Sequence, residues 1–181
     1  MRKVYTCKNL FQQQLIEGLT GEYQNCCLLT NYSDSGTFDM LLAVGVIDAI
    51  ELEVQNGFEG LKKFYESKND WLFGYLSYDL KNEIENLSSR NFDGLNFPAL
   101  HFFQPQYVFI FKNEKLEVHY PSDYLQSQVE IFLEKILNPE PGKSEQKKLN
   151  LKLNIKSRIT KEDYLKSVSS IKHHIKQGDI Y

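Results

Sequence analysis

A chain of 181 residues with 41% hydrophobic and 25% charged side chains has the composition of one ordinary folded domain, or of one domain and the start of another. Its 21 Lys+Arg stand against 24 Asp+Glu, a net charge of −3, so it lacks the basic excess that neutralises a phosphate backbone. No stretch approaches the ~18 consecutive apolar residues of a membrane span, residues 1–9 lack the apolar core of a secretory signal, and the three cysteines, with Cys26 and Cys27 adjacent, make neither a disulfide framework nor a metal pattern. These features predict a soluble protein of mixed helix and sheet in a reducing compartment, the cytoplasm, and leave its chemistry open.

The apolar period predicts the elements in order. Leu10, Phe11 and Leu15 place a helix over 7–18, with Gly18 as its stop. Residues 25–30 read as a short buried strand, and 31–37, rich in Ser, Asp and Asn, as a loop. Two apolar runs follow, 38–46 and 47–54; in the second, Ile50, Leu52 and Val54 alternate with Glu51 and Glu53, a half-exposed strand. Phe58, Leu61, Phe64 and Tyr65 mark a short helix. The strand 71–78 is dense in aromatics, which favours a sheet interior, and Gly74 inside it marks a close backbone approach or a bulge. Asp79 opens a helical turn or two over 79–86 as an N-terminal cap. A polar loop runs from Leu87 to about Asn96, and 107–111 with 116–120 form a hairpin across the four residues 112–115. Ser122 is a candidate cap for a helix whose apolar face is Leu125, Val129, Phe132, Leu133 and Ile136.

Residues 1–138 are thus one N-terminal domain, large enough to bury roughly 68–70% of its unfolded surface. Residues 139–148, with Pro139, Pro141 and Gly142 among charges, read as a linker. In 149–181, Leu149, Leu151, Leu153 and Ile155 alternate as a strand. Thr160-Lys161-Glu162-Asp163 forms a capping box, Tyr164, Leu165, Val168, Ile171 and Ile175 form one helical stripe, and Gly178 stops the helix. Two readings of this segment stand: both elements dock back on the N-terminal core, or they open a second, truncated domain.

No catalytic constellation is legible from residue types alone. His173 and His174 are adjacent and on a helix point about 100° apart, so they cannot share an ion; His101 and His119 stand alone. Alternation puts Cys26 and Cys27 on opposite faces of an apolar strand, which makes neither a nucleophile. Glu51 and Glu53 have no evident partner, and Asp79, Glu83 and Glu85 fit helix caps and surface charges equally well. The loop 31–37 joins two buried strands and could offer amides and hydroxyls to a small zwitterionic ligand, or be a plain connection.

Three stretches together resemble one family. Trp71-x-x-Gly74-Tyr75-x-x-Tyr78-Asp79-Leu80, with Glu85 beyond, is similar to a motif in the N-terminal domain of component I of aminodeoxychorismate (para-aminobenzoate) synthases and their sisters, the anthranilate synthases. Cys27-Leu28-Leu29-Thr30-Asn31, followed by Phe38-Asp39, resembles the earlier Leu-Leu-x-Ser stretch of that domain. The pattern from Tyr164 to Gly178-Asp179-Ile180-Tyr181 resembles the opening helix of the family's chorismate-binding domain.

The resemblance implies an α+β fold, a sandwich of mostly antiparallel sheets with outer helices. It implies amination of chorismate to 4-amino-4-deoxychorismate, for the folate pathway, with Mg2+ chelating the substrate and a separate glutaminase subunit, component II, supplying ammonia. It places the reacting and metal-binding residues in the C-terminal domain beyond this chain, so that the 181 residues alone are expected to be inactive. It also implies part of a tryptophan-type effector pocket at Leu28, Leu29, Thr30, Asn31, Ser35, Phe38 and Asp39, in which Asn31, bulkier and with two donors, stands where Ser is usual. The short linker and Asn31 lean toward aminodeoxychorismate synthase; the alternatives are anthranilate synthase component I and a non-enzymatic module that binds an amino acid or docks a glutaminase.

Overall fold

The computed structural model of the chain describes residues 1–8, 12–31, 36–85, 87, 92–138 and 155–180. They fall into two units, Met1–Ser144 and Glu145–Tyr181. In the first unit the order is β1 (Arg2–Lys8), α1 (Gln12–Glu22), β2 (Cys26–Thr30), β3 (Met40–Val44), β4 (Asp48–Leu52), α2 (Gly57–Lys68) and β5 (Phe73–Leu76). A 3-10 turn (Tyr78–Leu80) then runs into α3 (Lys81–Ile84), followed by β6 (Leu100–Gln104), β7 (Tyr107–Lys112), β8 (Lys115–Pro121) and α4 (Gln126–Leu137). The second unit contributes α5 (Lys161–Gln177).

The strands make two antiparallel sheets, β1-β8-β7-β3-β2 and β4-β6-β5. β3 explains how they stack, because it is buried along its whole length and its alternate residues enter different cores. Met40, Leu42 and Val44 pack with Leu15 and Leu19 of α1 and Val129, Leu133 and Ile136 of α4. Leu41 and Ala43 pack with Val108 and with Phe73 and Phe103 of the smaller sheet. The far face of that sheet joins Leu100, Ile50, Leu52 and Phe102 to Leu61 of α2 and to Leu80. The layers are therefore a helix pair, a five-stranded sheet, a three-stranded sheet and a helix. This is the expected α+β sandwich of antiparallel sheets with outer helices.

Left-handed backbone falls on asparagines at the boundaries: Asn56 (φ 63°) and Asn69 (φ 46°) flank α2, and Asn113 (φ 53°) turns the β7–β8 hairpin. Asn accepts this region more readily than other non-Gly residues.

Several local expectations change. Residues 1–8 hold a strand, so Cys7 lies in β1, and the helix begins at Gln12 and runs through Gly18. Gly18 does not stop it; a Cβ there would lie 2.8 Å from Ile136 Cγ2, so the glycine serves the α1–α4 contact. Leu10 and Phe11 lie outside the described residues. β2 is an edge strand and only half-buried, and β5 is an edge rather than an interior strand, exposed at Gly74, Tyr75 and Leu76. The interior strand of the small sheet is β6, a Leu-His-Phe-Phe-Gln run that the apolar period does not predict. The hairpin loop is two residues, Asn113-Glu114, rather than four.

Asp79 sits inside the 3-10 turn, 3.5 Å from Lys81 Nζ, and caps nothing. Ser122 lies in a turn, and α4 starts after Leu125, whose N–H donates to Gln128 Oε1 at 2.9 Å; Leu125 itself is exposed.

In the second unit Thr160 caps the helix, the first half of the expected box: Asp163 N–H donates to Thr160 Oγ1 at 3.1 Å, and the Asp163 carboxylate accepts from the Thr160 hydroxyl at 2.8 Å. At the other end Gly178 (φ 78°) donates to Ile175 C=O and Asp179 to His174 C=O, a Schellman closure. The linker 139–148 and residues 149–154 of the strand expected over 149–156 lie outside the described residues, while Ile155 and Lys156 at its end are not in a strand.

Candidate functional site

The described residues of the expected effector pocket lie along the end of β2 and just before β3. Pairing of Leu28 with Leu42 and of Leu29 with Leu41 fixes their directions. Leu28 therefore shares a face with the helix-side core and Leu29 with the inter-sheet core, and both are about half exposed, at 44% and 47%. Strand alternation thus separates the two leucines. Thr30 is exposed and pairs with Met40.

Asn31, Phe38 and Asp39 are brought together. Asn31 N–H donates to Asp39 C=O at 2.9 Å, and its Nδ2 donates to Phe38 C=O at 3.3 Å. Asp39 Oδ2 accepts from Asn113 N–H at 2.5 Å. Phe38 packs on the inter-sheet core beside Cys27. Ser35 lies outside the described residues.

A second polar cluster was not legible in the sequence. Arg2 Nε meets both oxygens of Asp70, at 2.8 and 3.0 Å, and both side chains are nearly buried. The guanidinium also donates to the carbonyls of Pro105, Gln106 and His119, and Asp70 accepts from Gln104 Nε2 at 2.7 Å and from Trp71 N–H at 2.8 Å. Burial by itself would raise the Asp70 carboxyl; the hydrogen bonds from Arg2, Gln104 and Trp71 and the guanidinium charge outweigh it and hold the pKa below the ordinary value. An open hollow of about 400 Å³ beside this pair is lined by Met1, Arg2, Tyr65, Asn69, Asp70 and Trp71. Sequence separation hid the pair: its members are 68 positions apart.

The histidines regarded as isolated have carboxylate neighbours. His101 Nδ1 lies 2.9 Å from Glu51 Oε1, because β4 and β6 pair these residues directly. His119 Nε2 lies 3.3 Å from Glu117 Oε2 on β8. Glu51 therefore does have a partner, supplied by β6. His174 Nδ1 is 2.8 Å from Asp179 Oδ2 at the end of α5. Glu83 does act as a cap, but for a distant helix: its carboxylate accepts from Gly57 N–H and, at 3.4 Å, from Phe58 N–H at the start of α2.

Cys26 and Cys27 do pack into opposite cores, and burial pushes both thiols up, away from the thiolate a nucleophile needs. Among the described residues no three His, Cys, Asp or Glu side chains converge as a metal site. No helix among them is long and apolar enough to cross a membrane.

Residues 27–181 match the family of chorismate binding enzymes. The match covers most of the chain and runs through both units, so the chain belongs to that family, whose members are enzymes acting on chorismate. A search among curated proteins gives no match to it.

Proposed function

We propose that the chain is the supporting portion of a chorismate-aminating enzyme that makes 4-amino-4-deoxychorismate, with ammonia supplied by a separate glutaminase subunit. The observation that carries this reading is the family match over 27–181, together with the order of the three motifs inside it. The structural work of those motifs supports it. Gly74 lets β5 approach β6, Leu80 is buried against α2, and Thr160 and Gly178 fix the ends of α5. These are scaffold tasks. In this reading the groups that react with chorismate, and the carboxylates that hold Mg2+, are other residues than those described, and Leu28, Leu29, Thr30, Asn31, Ser35, Phe38 and Asp39 contribute to an effector pocket. The protein works in the cytoplasm, where chorismate and glutamine are both at hand.

Incubating the 181-residue chain with chorismate, ammonium and Mg2+ should yield no aminated product by chromatography, whereas turnover by this chain alone would refute the supporting role. Expressing the gene that encodes it in auxotrophs decides the product. Growth without para-aminobenzoate is expected; rescue of a tryptophan auxotroph instead would make the product anthranilate.

A further inference from the structure

The β2–β3 connection and the β7–β8 turn lie at the same end of the five-stranded sheet, because Met40 pairs with Phe111 and Phe111 with Leu116. Asp39 joins them twice. Its N–H donates to Phe111 C=O at 2.8 Å, and its Oδ2 accepts from Asn113 N–H at 2.5 Å. A carboxylate accepting from an amide makes a stronger bond than a neutral pair. Asn31 closes the base of the same connection from the other strand, through its N–H to Asp39 C=O and its Nδ2 to Phe38 C=O. Gly36 makes room for this: a Cβ at that position would lie 1.5 Å from Asn31 Nδ2. The amide that is bulkier than serine is thus folded onto its own loop, in a space that only glycine leaves open.

We infer that Asp39 and Asn31 form a clasp that holds the base of the β2–β3 connection closed and fastens it to the β7–β8 turn. Asp39 is then a positioning residue: its carboxylate is engaged inside the fold, and what it contributes to an effector pocket is the shape of the loop base rather than a contact with the ligand. Behind the clasp stands β3, buried over its full length, so the clasp residues are joined to a strand packed on both faces. The consequence for an effector rests on reading this stretch as part of an amino-acid pocket: a ligand approaching the loop base must displace Asn31 Nδ2 or fit around it. The clasp itself does not depend on that reading.

Amide hydrogen exchange of the full 181-residue chain tests it. In Asp39→Ala the amides of Asn113 and Asn31 should exchange about tenfold faster, the loss expected for a charge-assisted bond, while those of β1 and α4 keep their rates. Asp39→Asn retains an acceptor oxygen and should rescue most of the protection at Asn113, which a loss of packing alone would not explain. Gly36→Ala should speed exchange at Asn31 and spare Asn113, and it serves where Asp39→Ala does not fold. Wild-type rates at Asn113 in Asp39→Ala, or at Asn31 in Gly36→Ala, overturn the clasp. Calorimetric titration of the same proteins with L-tryptophan addresses the effector separately: no heat in any variant would sink the pocket reading and leave the clasp standing.

Discussion

Asp70 shows how a single side chain holds two sheets in register. It precedes β5 of the smaller sheet, and its partner Arg2 opens β1 of the larger one. Replacing it by a neutral isostere would leave the guanidinium nearly buried without its counter-charge, so Asp70→Asn should cost about 2 kcal/mol in urea unfolding at pH 6. The folded pKa lies below the unfolded value, so the stabilisation is present above about pH 4 and is lost as pH falls through the folded pKa. The gap between wild type and Asp70→Asn should therefore narrow at pH 3; a constant gap would mean that the carboxylate charge is not what matters. Gly74 was legible in the sequence for the right physical reason. A Cβ there would sit 1.9 Å from His101 C=O and 2.6 Å from Phe102 Cα, closer than any side chain allows.

Among the elements, α2 is the case where local sequence misleads. Its first residue is Gly57, its N-terminal boundary residue is Asn56 in the left-handed region, and Asn56 supplies no side-chain cap. The free amides of the first turn are satisfied instead by Glu83, 26 positions away in α3. Glu83→Ala should destabilise the protein by about 1 kcal/mol, the usual worth of a cap, read as a lower urea midpoint, with Glu83→Gln falling between. Wild-type stability in Glu83→Ala would show that water caps this turn as well. α5 is the opposite case: Thr160, Asp163 and Gly178 stand beside the backbone groups they satisfy, and both ends followed from spacing alone. α1 passes through Gly18 because the demand on that glycine comes from Ile136, which no local pattern reveals.

At the scale of the whole molecule, each of the three apolar cores found among the described residues is built from residues between Tyr5 and Leu137. We propose on that ground that 1–138 is a self-sufficient domain. A fragment ending at residue 138 should unfold in one cooperative transition and keep native far-ultraviolet dichroism; a broad, non-cooperative melt would show that its cores need the remaining residues. The tyrosine hydroxyls of this cluster follow its packing: burial, with Tyr107 and Glu22 nearby, pushes Tyr23 up to about 12, so it stays neutral throughout the physiological range.

The amino-acid sequence by itself determined what depends on neighbours within a turn or a strand: the alternation of β4, the stripe and both ends of α5, the opposite burial of Cys26 and Cys27, and the glycine of β5. Its motifs also carried the family, because short runs such as Gly178-Asp179-Ile180-Tyr181 are read in one dimension. Only the tertiary structure decided which strands lie at an edge, which glutamate caps which helix, that Glu51 faces His101, and that Arg2 meets Asp70. Those contacts join residues 26 to 68 positions apart, and they form because apolar faces stack the sheets and bring the polar groups into reach; no periodicity along the chain encodes such a meeting.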